Sequence, residues 1–218
     1  MKKILLTTAA AAVLATSSSN AYAAEGDFYG RANVGFTKFK KVTPTINTTR
    51  HNHKSQNTGF FGIAAGYYLM NNVRTELAID HFFSPEHKYS HEKFKTESRF
   101  KGQVDTLLIN TYVDLFDISG AQIFAGVGVG VARTKVKYSA EQNGAAIFLF
   151  KSKTSNALSY ALHLGTSTEF APGMHSELVY SYRDMGKTGK LKDKNGKDTN
   201  RGMPYSAHNV AAGVRFDL

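Results

Sequence analysis

The sequence predicts an all-β fold, an eight-stranded antiparallel transmembrane β-barrel with four long extracellular loops and three short periplasmic turns. Three observations carry that prediction. Eight stretches alternate with period two between an apolar side and a mixed side, as a strand does when its two faces meet different surroundings. Their connections run long, short, long, short, long, short, long, which gathers every long one at one end, the arrangement of barrels that cross a bilayer. The chain also opens on MKKILLTTAAAAVLATSSSNAYA, with Lys2 and Lys3 ahead of an apolar run and Ala21-Tyr22-Ala23 as a cleavage signal. That is a secretory leader, so residues 1–23 are set apart as signal peptide and 24–218 as the barrel. Cysteine is absent, so disulfides do not hold this exported chain together. No run of about 18 apolar residues follows the leader, so no helix is expected to span a bilayer.

The first strand covers residues 27–38, with Phe28, Ala32, Val34 and Phe36 on the apolar side and Tyr29, Arg31, Asn33 and Thr37 opposite. After the polar segment 40–57, the second strand, 58–69, sets Phe61, Ile63, Ala65, Tyr67 and Leu69 against Phe60, Gly62, Gly66 and Tyr68. Met70-Asn71-Asn72 reads as a tight turn. The third strand, 73–83, then places Leu77, Ile79, His81 and Phe83 opposite Arg74, Glu76, Asp80 and Phe82. A second long segment, 84–101, leads to strand four at 102–115, with Leu107, Ile109, Val113 and Leu115 against Thr106, Leu108, Asn110, Tyr112 and Asp114. Residues 116–120 turn the chain into strand five, 121–132, AQIFAGVGVGVA. Three alternate glycines in a helix would cost roughly 1 kcal/mol each. In a strand they leave one face nearly empty beside Ile123, Val127, Val129 and Val131. Gly126, Gly128 and Gly130 are expected to make room in the lumen for larger residues of neighbouring strands. The third long segment is 138–155. Strand six (156–169), the turn Ala171-Pro172-Gly173, strand seven (175–185), the fourth long segment (184–206) and strand eight (207–218) complete the series.

The two faces differ in charge. The apolar side carries almost none, whereas the other collects Arg31, Arg74, Glu76, Asp80, Asp114, Glu177 and Arg183. Eight strands enclose a space only wide enough for side chains. Arg31, Glu76, Asp80, Glu177 and Arg183 are therefore expected to pair as a barrel-filling ion network, which argues against a diffusion pore. Tyr29, Tyr67, Tyr68, Tyr160, Tyr180, Tyr182, Phe36, Phe83 and Phe216 include outward residues near strand ends that suit interfacial aromatic girdles.

No catalytic constellation stands out. The nucleophile elbow G-x-S-x-G and the zincin helix motif are both missing. His163 with Glu169 or Asp80 is the nearest approach to an acid–base pair, and an inward histidine in a polar lumen is ordinarily a hydrogen-bonding group. Arg50-His51-Asn52-His53 holds two histidines in a loop, too few for a closed metal site. The expectation is a protein that is not an enzyme and uses no cofactor and no metal.

The four long segments carry 17 Lys and Arg against 7 Asp and Glu. Without Lys2 and Lys3 the mature chain is +8, so the loops hold all of its basicity. Lys40, Lys41, Arg50, Lys54, Lys151, Lys187, Lys190, Lys192, Lys194, Lys197 and Arg201 are the candidate ligand-binding cations. Such a surface attracts phosphates of lipopolysaccharide and other outer-membrane lipids, sulfated glycans, or an acidic host protein. Nucleic acid is not an expected partner, and the barrel is expected to be a monomer. One loop differs: Ile147, Phe148 and Phe150 belong to an apolar run beside Lys151. It either extends strands five and six as a hairpin or forms an exposed patch for a partner.

The C-terminal AHNVAAGVRFDL (207–218), with LLINTYVDL (107–115) and FAGVGVG (124–130), resembles the candidate adhesins of rickettsial outer membranes, within the wider opacity-like group of eight-stranded barrels. The likeness covers the leader and all the strands and fades in the loops. One departure is the terminal Leu218, where many outer-membrane barrels end in Phe. The resemblance implies a cell-surface protein of the outer membrane that contacts host-cell or serum proteins such as vitronectin, and it supplies no catalytic residues. The expected function is thus adhesion through basic extracellular loops. The alternative is a structural or lipopolysaccharide-stabilising barrel without a host ligand.

Overall fold

A computed structural model describes residues 25–40, 57–83, 86–91, 96–142, 145–151, 154–187 and 204–218. The leader expected over residues 1–23 lies outside the described residues, as does most of the first and fourth long segments. The described residues form ten antiparallel strands: β1 (Phe28–Phe39), β2 (Asn57–Met70), β3 (Val73–Phe82), β4 (Glu86–His91), β5 (Thr96–Ile118), β6 (Ala121–Gln142), β7 (Ala145–Lys151), β8 (Ser155–Ala171), β9 (Met174–Lys187) and β10 (Pro204–Asp217). Eight of them, in the order β1-β2-β3-β5-β6-β8-β9-β10, close on themselves because β1 pairs with β10 and β5 with β6. Closure leaves the barrel wall no unpaired edge, which is what an unsolvated bilayer requires of a sheet. The fold is therefore a closed eight-stranded antiparallel barrel.

Period two decides what each side chain meets. Val127 is 60% exposed and Ile109 57%, while Leu108 and Asn110 on the alternate positions of the same wall are fully buried. Ile63, Leu77, Leu158, Leu162 and Val210 also point outward. The wall is thus inverted relative to a soluble domain: its aliphatic side is exposed and its polar side is inside.

All three short connections fall at one end. Between β5 and β6 the turn is tighter than the five residues expected, since Ile118 pairs with Ala121 and only Ser119 and Gly120 intervene. Both have positive φ, 54° and 85°, as a two-residue hairpin turn with the sheet's own twist demands. The stretch leading into β1 and the end of β10 are tied down there as well, Gly26 N–H donating to Tyr68 O at 3.0 Å and Leu218 N–H to Phe28 O at 2.8 Å.

At the other end the structure corrects the reading of residues 84–101 as a plain loop and decides between the alternatives left for the backbone of residues 138–155. The β5–β6 ladder runs unbroken in direction from Ile118↔Ala121 up to Thr96↔Gln142. Beyond the barrel rim, β4 pairs with the outer edge of β5 and β7 with that of β6, making a four-stranded sheet β4-β5-β6-β7. Ile147, Phe148, Phe150 and Lys151 lie in β7, so the hairpin alternative describes that run's backbone. In water neither face of a strand must be apolar, so the period-two signal fades although the backbone groups still pair.

Candidate functional site

The lumen is packed around the Glu76 carboxylate. Glu76 and Arg31 stand on β3 and β1, both turned inward. Arg31 Nε–H donates to Glu76 Oε2 at 3.0 Å. The Tyr29 hydroxyl donates to the same oxygen at 3.3 Å, and Asn110 Nδ2–H and the Tyr112 hydroxyl donate to Oε1 at 2.9 and 3.0 Å. A buried carboxylate that accepts this many donors has exchanged its hydration shell for fixed ones. Glu177 meets three guanidinium groups: Arg215 at 3.0 Å, Arg74 at 3.7 Å and Arg31 at 3.8 Å. Arg74 also pairs with Asp114. Nearer the long-segment end, Arg183 Nη1–H donates to Asp80 Oδ2 at 2.7 Å.

The glycines admit these groups. A Cβ on Gly126 would collide with the Tyr112 ring and one on Gly66 with the Tyr29 ring, so both tyrosines reach Glu76 across bare backbone. Aromatic rings flank the guanidinium groups: Arg74 lies 4.5 Å over Phe124, and Arg183 sits 5.7 and 5.6 Å from Phe60 and Phe82. Above Arg183, toward the long-segment end, Phe60, Phe82, Val104, Ala132, Met185 and Ala207 pack as an apolar cap, with Phe39 against it. Charged layer and apolar cap both lie in the lumen.

His163 packs against Tyr112, 5.3 Å between ring centres, and its Nε2 has no hydrogen-bond partner among the described residues. No group of three or more His, Asp or Glu among the described residues is placed to hold a metal, and Arg50-His51-Asn52-His53 lies outside them.

Of the candidate ligand-binding cations, Lys41, Arg50, Lys54, Lys190, Lys192, Lys194, Lys197 and Arg201 lie outside the described residues. Lys187 closes β9, its backbone paired with Pro204. Lys151 closes β7 opposite Lys137. Lys40 sits at the rim just beyond β1: its N–H donates to Ser206 O at 2.8 Å and its ammonium lies 4.6 Å over the Tyr182 ring.

Sequence reasoning missed two groups. Arg215 belongs to the ion network, and strict alternation from Val210 already places it inward. The β5–β6 register also builds a row above the rim that no linear pattern announces: Lys101 pairs with Lys137, and Lys137 with Lys151.

Comparison with known proteins agrees with this architecture. A family model described as an outer membrane protein β-barrel domain matches residues 7–216. A Rickettsia conorii protein named as a candidate adhesin is 38% identical, the alignment covering all of both chains. A Rickettsia felis protein named in the same way is 35% identical, again over the whole of both. Among solved structures, Neisserial surface protein A superposes with a TM-score of 0.56 at 15% identity, covering 89% of this chain and 100% of that one. At that identity the match speaks for the fold alone.

Proposed function

The chain belongs to the family of outer-membrane protein β-barrel domains and resides in the outer membrane, and on that premise we propose that it is a non-enzymatic adhesin. The observation that carries the reading is the concentration of basic segments at one end of a barrel whose lumen is filled, which leaves the extracellular end as its working surface. The four long segments leave the barrel at the same end, and 17 cations against 7 anions in them favour acidic patches of host-cell or serum proteins, or sulfated glycans. The names of the rickettsial relatives support the same reading. The β4–β7 sheet adds a raised platform on which Lys101, Lys137 and Lys151 share a row.

The test compares lipid vesicles carrying the mature chain with vesicles carrying a version whose four long segments are shortened. Capture of host-cell extract by the first and not the second is the expected result. Equal capture would sink the adhesin reading, and altered membrane permeability with unchanged capture would favour a structural barrel instead. Exposed charges are screened over about 8 Å at physiological ionic strength, so ionic capture should weaken steeply as salt rises. Capture that persists at about 1 M salt would assign binding to Ile147–Phe150 in place of the cations.

A further inference from the structure

The outer wall is charged in opposite senses at its two ends. At the short-turn, periplasmic end the exposed ionisable residues Glu25, Asp117 and Glu169 are all acidic. At the other end the exposed charges on the wall, among the residues whose side chains are described, are Lys38 and Lys40 on the β1 side and Arg133 on β6. The acids nearby are engaged: Asp105 lies 2.6 Å from His81 Nδ1, and Asp184 accepts from Gly186 N–H at 2.8 Å.

Around Lys38 and Lys40 the wall carries more than charge. The register sets Lys38 beside His208 and His208 beside Tyr182 in one outward row. The next outward row toward the membrane centre is Phe36, Val210 and Tyr180, all apolar in their wall-facing parts and all exposed. Two strand residues separate the rows, about 7 Å. His208 packs against both tyrosines, with ring centres 6.1 Å from Tyr180 and 5.3 Å from Tyr182. The Tyr180 hydroxyl lies 2.7 Å from His208 Nδ1. When that hydroxyl donates to Nδ1, the imidazole carries its proton on Nε2 and has an N–H to offer an anion. Lys40 lies over Tyr182, its ammonium held above the row.

We propose that Lys38, Lys40, His208, Tyr180 and Tyr182 form a binding site for the phosphorylated headgroup of an outer-leaflet glycolipid. A ligand complementary to this patch has an anion at the level of Lys38 and Lys40 and hydrocarbon one row below, against Phe36 and Val210. A phosphate joined to acyl chains has that shape; a soluble sulfated chain would leave the apolar row uncovered. Tyr182 holds the Lys40 ammonium over its ring, at the level where the phosphate would sit. The site lies on the wall below the segments assigned to adhesion, shares only Lys40 with them, and does not depend on a host ligand.

The mature chain, refolded in uncharged detergent micelles, is incubated with diphosphoryl lipid A, with its dephosphorylated form, or with inorganic phosphate. Native mass spectrometry then counts the retained ligand. Preferential retention of diphosphoryl lipid A is the expected result, with inorganic phosphate not retained. A lysine beside an anionic surface contributes about a factor of five in affinity, so K38Q/K40Q should weaken retention about thirty-fold. R133Q/K135Q, across the barrel on β6, should change it by less than about twofold, because Arg133 stands beside Asp105 in the ladder and lies on the far wall from the Tyr180 and Tyr182 rows. Tyr182→Leu keeps both lysines and should still lower retention of the lipid. Heat-dependent gel mobility reports whether each variant folds. Equal retention of the two lipids, retention of inorganic phosphate alone, or equal loss in the two double variants would each overturn the proposal.

Discussion

Glu76 shows how few side chains hold the lumen together. Its partners are Tyr29 and Arg31 on β1 and Asn110 and Tyr112 on β5, so one carboxylate on β3 ties together strands far apart in sequence. Removing Arg31 leaves Glu76 and Glu177 under-compensated in a buried site, and breaking such a pair costs about 3–5 kcal/mol. Arg31→Met should therefore lower unfolding stability in urea by that amount, and adding Glu76→Gln should restore part of it. A double variant no more stable than Arg31→Met would show that the pair is not coupled. The glycines make the complementary prediction. Gly126→Val drives a side chain into Tyr112 and should cost about 1–3 kcal/mol. Val127→Leu, one position on and facing outward, should be nearly neutral in the same assay.

At the scale of the element, β6 meets three environments along 22 residues. Its lower part presents Val127, Val129 and Val131 to lipid, Arg133 and Lys135 stand at the rim, and the remainder pairs above it with β7. A cation on the lipid face is costly near the bilayer centre and cheap at the interface. Val129→Arg should destabilise by about 2–4 kcal/mol, and Gln103→Arg, at the rim on β5, by about 0–1 kcal/mol. Similar losses at the two positions would mean that the apolar band is misplaced. Residues 121–132 could be read from the sequence because lipid and lumen impose opposite demands on alternate side chains. Residues 138–142 and 145–151 were legible only as one of two alternatives, a hairpin or an exposed patch, because above the rim no such contrast operates and the ladder alone holds the strands. Arg215 was legible in principle: the alternation that turns Val210 outward turns it inward, but its partner Glu177 lies on β9 and no local spacing points there.

On the scale of the whole molecule the barrel is a closed wall around a filled interior. The Arg183–Asp80 pair and the Phe60–Phe82 cap lie across the lumen, so planar bilayers holding the protein should show no stepwise conductance. Stable steps in the wild type would contradict the packing described. The sequence by itself determined the strand count of the barrel, the facing of almost every wall residue and the end at which the basic segments gather. It could do so because period-two burial and connection length are local properties. Only the tertiary structure decided which arginine meets which carboxylate, that β4 and β7 build a sheet above the rim, and that Lys38, His208 and Tyr182 share one row. Those are facts of register between strands up to 170 residues apart, set by how the sheet closes on itself, and a linear chain carries no mark of them.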